Sequence, residues 1–311
     1  MIPGSGGSTL GWLAFELSVL KRLKFSSATI PFNARPNLGL YLKRSGIRVL
    51  ANDPMASAYE DCFAHIVNDG VTLSPEDIGT VLEDAYVPGY ELNNPALRNW
   101  FGETDAWWFD NVRSNIENLG SREARSLALS VGFKVGDYVH SFNDETRRLR
   151  QPLSKVFERL ASLEETPVSN GQENNCQCSN PVSFTAESKG VDLFFLRLPP
   201  ARRDPLRESL GSAAWREAWV RGGDDFWHEI EEDFGGRLGA RIETKAQYLE
   251  MIADALGAAG HIKRWAIEHV EDGFIQTHDI VDIIGKNRRV DTVFTKDFSE
   301  LTGVKAVMVT A

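Results

Sequence analysis

Residues 191–200 read Val-Asp-Leu-Phe-Phe-Leu-Arg-Leu-Pro-Pro, and this stretch limits the fold more than any other. An acidic start, a run of large apolar residues and a Pro-Pro stop describe a buried strand that ends in a rigid turn. In an α/β sheet the carboxyl end of such a strand is where chemistry sits. Upstream, residues 26–31 read as a strand, 38–44 as a helix and 47–51 as a second strand, and Pro54 suits the first turn of another helix. A β-α-β-α run of this kind starts a parallel, doubly wound sheet. Near the C terminus, Leu249, Ile252, Leu256 and Ala259 mark an amphipathic helix over 245–259. Residues 265–270, 290–294 and 304–309 read as closing strands, with a helix at about 278–284 between the first two.

Between these parts the strand patterns vanish. Pro75, Pro95 and Ser121 precede helical stretches expected at 75–85, 96–119 and 122–139, and Leu149, Leu153, Val156, Phe157 and Leu160 mark the apolar face of a fourth. Trp12, Phe15, Val19, Leu20 and Leu23 are also helically spaced, as are Trp215 and Trp219. Residues 169–190 are polar and read as a loop. The expected organisation is a Rossmann-like α/β core from 1–70 and 169–311, interrupted by a helical insertion at 71–168.

Composition excludes several classes. No apolar run approaches the ~20 residues that cross a membrane, and Glu16 breaks the N-terminal apolar stretch, which argues against a signal peptide. Three cysteines cannot pair fully, so a reduced, cytoplasmic setting is expected. The net charge of −10 rules out general DNA binding through the bulk field, because such affinity comes from neutralising phosphates. Any DNA contact must be local. Residues 98–159 are the favourable place, with ten Lys and Arg against nine Asp and Glu.

Motifs for other chemistries are absent. The six histidines show no ligand spacing, and His228-Glu229 has no second histidine four residues on. Cys176 and Cys178 form a lone Cys-x-Cys, too few ligands for a zinc site, and no metal is expected. Arg147, Arg148 and Arg150 cluster between Asp144-Glu145 and Pro152. They read either as a solvated face paired with those acids or as a phosphate or partner contact. Trp100, Phe101, Trp107 and Trp108 read as packing residues, with stacking on a splayed base as the weaker alternative.

Residues 30–53, Ile-Pro-Phe-Asn-Ala-Arg-Pro-Asn-Leu-Gly-Leu-Tyr-Leu-Lys followed by a strand ending Ala-Asn-Asp, resemble the cofactor element of the D12 class of adenine-N6 DNA methyltransferases. That element usually runs Asp-Pro-Phe-Ala-Gly-Ser-Gly-Ser-Val-Gly-Leu-Tyr-Leu-Lys. Pro31, Phe32, Gly39, Leu40, Tyr41, Leu42, Lys43, Gly46, Val49, Ala51, Asn52 and Asp53 fit without a gap. The 191–200 strand resembles the same family's Asp-Leu-Val-Tyr-Ile-Asp-Pro-Pro-Tyr. Two looser segments also match. Gly6, Gly7, Ser8 and Thr9 stand for a Gly-Gly-Lys element, and Ser169 to Asn174 for Asp-Asn-Gly-Arg-x-Asn.

The resemblance implies a class I methyltransferase fold whose insertion meets DNA, and a pocket for S-adenosylmethionine. The departures fall on that pocket. Ile30 replaces an acid, and Ala34 and Pro36 replace glycines whose backbone N–H groups would wrap the ligand. The catalytic acid becomes Arg197 or, with one inserted residue, Leu198, ahead of Pro199 and Pro200. An arginine offers only donors, and it places a positive charge near a sulfonium. Phe32 keeps its place in the degenerate cofactor motif, and of the implied cofactor contacts only Asp53, which the resemblance assigns to the ribose, survives clearly. The expectation is therefore a pseudoenzyme without cofactor, a nucleic-acid-recognition or scaffold subunit beside a protein such as an active methyltransferase or a restriction-system subunit. The alternatives are an active, divergent S-adenosylmethionine-dependent methyltransferase and a protein-only adaptor.

Overall fold

The computed structural model describes residues 11–87, 91–271 and 273–311. Seven strands form one sheet: β1 (Ser27–Ile30), β2 (Arg48–Asn52), β3 (Asn175–Gln177), β4 (Leu193–Arg197), β5 (Arg264–Glu271), β6 (Thr292–Asp297) and β7 (Lys305–Thr310). The spatial order is β3-β2-β1-β4-β5-β7-β6. All neighbours from β3 to β5 pair in parallel, and β7 runs antiparallel between β5 and β6. This is an α/β architecture with a mostly parallel mixed sheet, compatible with a Rossmann-like fold.

The sheet is covered on both faces, as parallel strands require. Alternate residues of β4 divide between them. Leu193 and Phe195 pack with Phe15 and Val19 of the helix Trp12–Leu20 and with Leu38 and Leu42 of the helix Asn37–Arg44. Phe194 and Leu196 pack with Met251, Ile252 and Leu256 of the helix Lys245–Ala258 and with Ile280 and Ile284 of the helix Thr277–Gly285. Lys43 is fully buried, and its ammonium donates to the Asn68 carbonyl at 2.7 Å beside Asp69 at 2.8 Å.

The chain between β2 and β3 is largely helical. Ser74 and Asp77 form a capping box on the helix Pro75–Leu82, and Ser121 caps the helix Arg122–His140. The single helix expected at 96–119 is instead a 3-10 turn, Pro95–Asn99, and an α-helix, Glu103–Ile116. Gly102 stands at that helix's N-cap with extended backbone, which breaks helical continuity. Trp108 and Phe109 are fully buried here, and Phe101 nearly so.

The core of this helical part also takes in Trp215 and Trp219, which lie on the helix Ala214–Arg221 far downstream. They press against two glycines of Arg122–His140. A Cβ on Gly132 would stand 2.2 Å from the Trp219 ring, and one on Gly136 2.0 Å from the Trp215 ring. The Trp219 indole N–H donates to the Phe109 carbonyl at 2.8 Å.

The 169–190 stretch is not wholly loop. It contains β3 and the helix Pro181–Glu187, capped by Asn180. Asn170 donates to the carbonyls of Lys43 and Ile47, and Asn174 accepts from the Val49 amide. Two asparagines thus fasten this segment to β2. No helix among the described residues is long and apolar enough to cross a membrane.

Candidate functional site

Strand order reverses direction between β1 and β4, and open α/β sheets bind ligands at the carboxyl ends beside such a switch point. Here that position is built from the segment after β1, the end of β2 and the end of β4. Phe32, Asp53 and Arg197 to Pro200 therefore share one edge of the sheet. Gly6 to Thr9 lie outside the described residues.

After β1 the chain turns inward. Asn33 is fully buried; its backbone N–H donates to the Asn52 carbonyl at 3.0 Å and its amide to the Cys62 sulfur at 2.8 Å. Phe32 is half-buried and packs against apolar residues on two sides. Ala34 is exposed, while Pro36 is buried at the head of the next helix and accepts from the Leu40 amide at 2.8 Å. A proline there presents no N–H to a ligand.

Asp53 is 4% exposed. Its carboxylate accepts from the Met55 amide at 3.0 Å, a local turn bond. Burial pushes its pKa up to about 7, with the charge of nearby Glu217 adding to the effect and the Met55 bond opposing it. Glu217 is 1% exposed and comes from the helix that carries Trp215 and Trp219. Its two carboxylate oxygens accept from the Ala56 and Ser57 amides at 2.8 Å each, and Arg221 pairs with it at 2.6 Å. The free amides of the first helical turn after β2 are thus satisfied from within the chain.

The end of β4 is likewise occupied. Arg197 lies opposite Glu268 on β5. Its guanidinium pairs with Glu268 at 3.2 Å and with Glu16 from the helix Trp12–Leu20. Both carboxylates are fully buried, while the Arg197 side chain is 32% exposed. Burial and the facing Glu16 drive Glu268 well above the usual carboxylate range, and Arg197 only partly offsets them. Two acids from other elements thus fold onto the cation at 197.

Leu198 is buried in the apolar cluster that contains Ile252 and Ile267. The Pro199 carbonyl accepts from the Tyr248 hydroxyl. Arg202, 8% exposed, grips Glu231 through two hydrogen bonds of 2.8 and 2.7 Å and donates to the Gly239 carbonyl at 2.9 Å. The turn after β4 is therefore fixed to the helix Trp227–Phe234. A cleft of about 270 Å³ lies to one side, beyond β2 and β3. Its lining includes Pro54, Cys178, Asn180, Arg221, Phe234 and Arg237; Phe32, Ala34, Pro36, Asp53 and Leu198 are not among the residues that line it.

The arginine cluster stands apart, on the helical part. Arg150 pairs with Asp105 at 2.9 Å and is 13% exposed; Arg147 is 3.9 Å from the same oxygen and 54% exposed. The acid partner is thus Asp105, not Asp144 or Glu145, because the segment folds back onto the helix Glu103–Ile116. Arg148 is exposed, and Leu149 between the arginines is 67% exposed.

Sequence reading missed Glu16 and Glu268. The signal was present, since each is a lone acid inside an apolar run, where an unpaired charge would be costly. No group of three His, Cys, Asp or Glu residues suited to a metal occurs among the described residues. No family model matches the chain, and no curated protein matches it.

Proposed function

We propose that this chain is a catalytically inactive relative of the adenine-N6 DNA methyltransferases, a cytoplasmic recognition or scaffold subunit that works beside an active partner protein. One observation carries the reading: the end of β4 is satisfied by the chain itself. In the family a carboxylate and a proline carbonyl accept from the target amine, and holding the flipped base requires those acceptors to be free. Here Leu198 is packed in the core, Arg197 is spent on Glu16 and Glu268, and the Pro199 carbonyl holds the Tyr248 hydroxyl.

The donor pocket gives parallel support. Pro36 and Ala34 supply a buried ring and a Cβ where close backbone approach is required, and Asp53 is turned onto Met55. The Rossmann-like sheet with its β1/β4 switch point is compatible with a methyltransferase core. Arg148 and Leu149, exposed on the helical part, offer the contact surface for the recognition role.

Calorimetry with S-adenosylmethionine and S-adenosylhomocysteine tests the reading. No heat of binding is expected at micromolar to high-micromolar ligand. Micromolar affinity for either compound, or transfer of labelled methyl groups to DNA by the pure protein, overturns it.

A further inference from the structure

The edge of the sheet opposite the candidate site carries a charge that the composition hides. Five connections, taken with the helix and strand residues at their ends, enter β1, β2, β4, β5 and β6 from that side: residues 21–26, 44–48, 187–192, 259–264 and 286–291. Together they hold eleven Lys and Arg but three Asp and Glu, in a chain with 34 and 44 overall. Backbone hydrogen bonds show that these connections lie side by side. The Arg48 amide donates to the Ser26 carbonyl at 3.0 Å, and the Arg264 amide to the Asp192 carbonyl at 3.2 Å. Arg288 donates to the carbonyls of Lys263 and Gly260 and lies 3.7 Å from the Trp265 ring centroid, which braces the last two connections together.

We propose that this basic rim binds the phosphate backbone of duplex DNA, a surface separate from the arginines of the helical part. Lys21, Lys24, Lys263 and Arg289 are exposed and have no ion-pair partner among the described residues. Of the three acids, Asp192 is already held by the backbone N–H and hydroxyl of Ser26 at 2.9 and 2.6 Å. From β2 to β6 there are five strand spacings of ~4.8 Å, about 24 Å. That length faces about seven phosphates of one strand at ~3.4 Å each. The connection into β3 carries Glu164, Glu165 and Glu173 and no cation, so the rim has a defined end. None of the exposed large hydrophobic side chains lies in the five connections, which disfavours a membrane, since surface helices and anchors on lipid bury apolar groups as well as charge.

The test uses the full chain, a 24-base-pair duplex and fluorescence anisotropy between 50 and 200 mM salt. Replacing Lys21, Lys24, Lys263 and Arg289 together by alanine should weaken binding at 50 mM by at least about tenfold. It should also reduce the steepness of log affinity against log salt by about 3.6, at ~0.9 per phosphate contact. The four-arginine version of Lys21, Lys24 and Lys263 with native Arg289 should keep wild-type affinity, which separates lost charge from lost fold. The Arg147→Ala/Arg148→Ala variant should leave the rim's share of the slope in place, and donor calorimetry is indifferent to the rim. Wild-type affinity and slope in the alanine variant, absence of binding by the native chain at 50 mM salt, or equal affinity for phosphatidylserine vesicles or polyglutamate would each overturn the proposal.

Discussion

Removing Arg197 tests whether the end of β4 is held by its ion triad. Arg197→Met leaves the buried carboxyl groups of Glu16 and Glu268 facing each other. Deleting one partner of a buried pair costs ~3–5 kcal/mol. The Arg197 side chain is 32% exposed, so the lower end, about 3 kcal/mol, is expected at pH 8. Against a typical total of ~5–15 kcal/mol this is a large fraction. The pH dependence has a definite sign. Glu268 sits above its ordinary 4.5 in the folded state, so its contribution to stability is fully present below that value and is lost as pH rises. Without the guanidinium its pKa climbs further, and the deficit of the variant must grow with pH. Urea unfolding of the full chain at pH 5 and pH 8 reads this directly, and the penalty should be smaller at pH 5 than at pH 8. The combined Glu16→Leu/Arg197→Met/Glu268→Leu variant should return to within about 1 kcal/mol of native, since apolar replacement of a whole buried ionic group is often neutral. A pH-independent deficit, or Arg197→Met as stable as the native chain at pH 8, refutes the reasoning. Arg197→Asp should be worse than methionine because it adds a third acid.

Four further outcomes are expected. Asp53 titrates at about 7 against 3.8 unfolded, so its contribution is present below 3.8 and lost on the way up through 7; Asp53→Asn, which keeps the acceptor for Met55, should raise stability at pH 8 by up to about 4 kcal/mol and flatten the melting temperature between pH 4 and 7. Gly132→Ala places a methyl 2.2 Å from a Trp219 ring that is anchored on Phe109; overpacking of ~1–3 kcal/mol should exceed the helical gain of ~1, and thermal unfolding above native would contradict it. Tyr248→Phe should cost about 1 kcal/mol by stranding the Pro199 carbonyl, read from the urea midpoint. Burial opposes a charge on His65, but Glu164 and Asp61 outweigh it and raise its pKa. Its contribution is therefore full below 6.5 and fades as pH rises, and His65→Gln should lose about 1 kcal/mol at pH 6 and nothing measurable at pH 9 in the same unfolding assay.

Much of the sheet was legible because its strands are apolar runs bounded by Pro, Gly and polar turns. The periods of 26–31, 47–51 and 265–270 place β1, β2 and β5 to within two residues. β3 escaped because Asn-Cys-Gln has three residues and no apolar alternation; only its pairing with Leu50 to Asn52 makes it a strand. Asn170 and Asn174 were noticed as a motif, yet their work of fastening the chain to β2 is visible only in the hydrogen bonds. At the candidate site, the sequence showed Arg197 at the end of a buried strand but not what packs against it. Arg197 meets Glu16 from 181 positions away and Glu268 from 71, and no local pattern encodes such a meeting. The rim was equally hidden, since its cations are scattered through five segments and cancel in the total.

The seating of Trp215 and Trp219 on Gly136 and Gly132 bears on how this protein can be divided. Scissors placed at residues 70 and 168 would strip two indoles of the notches that receive them and leave the excised bundle with matching vacancies. A usable fragment of the bundle must carry residues 214–221 along, by fusion or as an added peptide. The same linkage means that a tug on the bundle is felt at the helix Ala214–Arg221, well past the Pro-Pro turn.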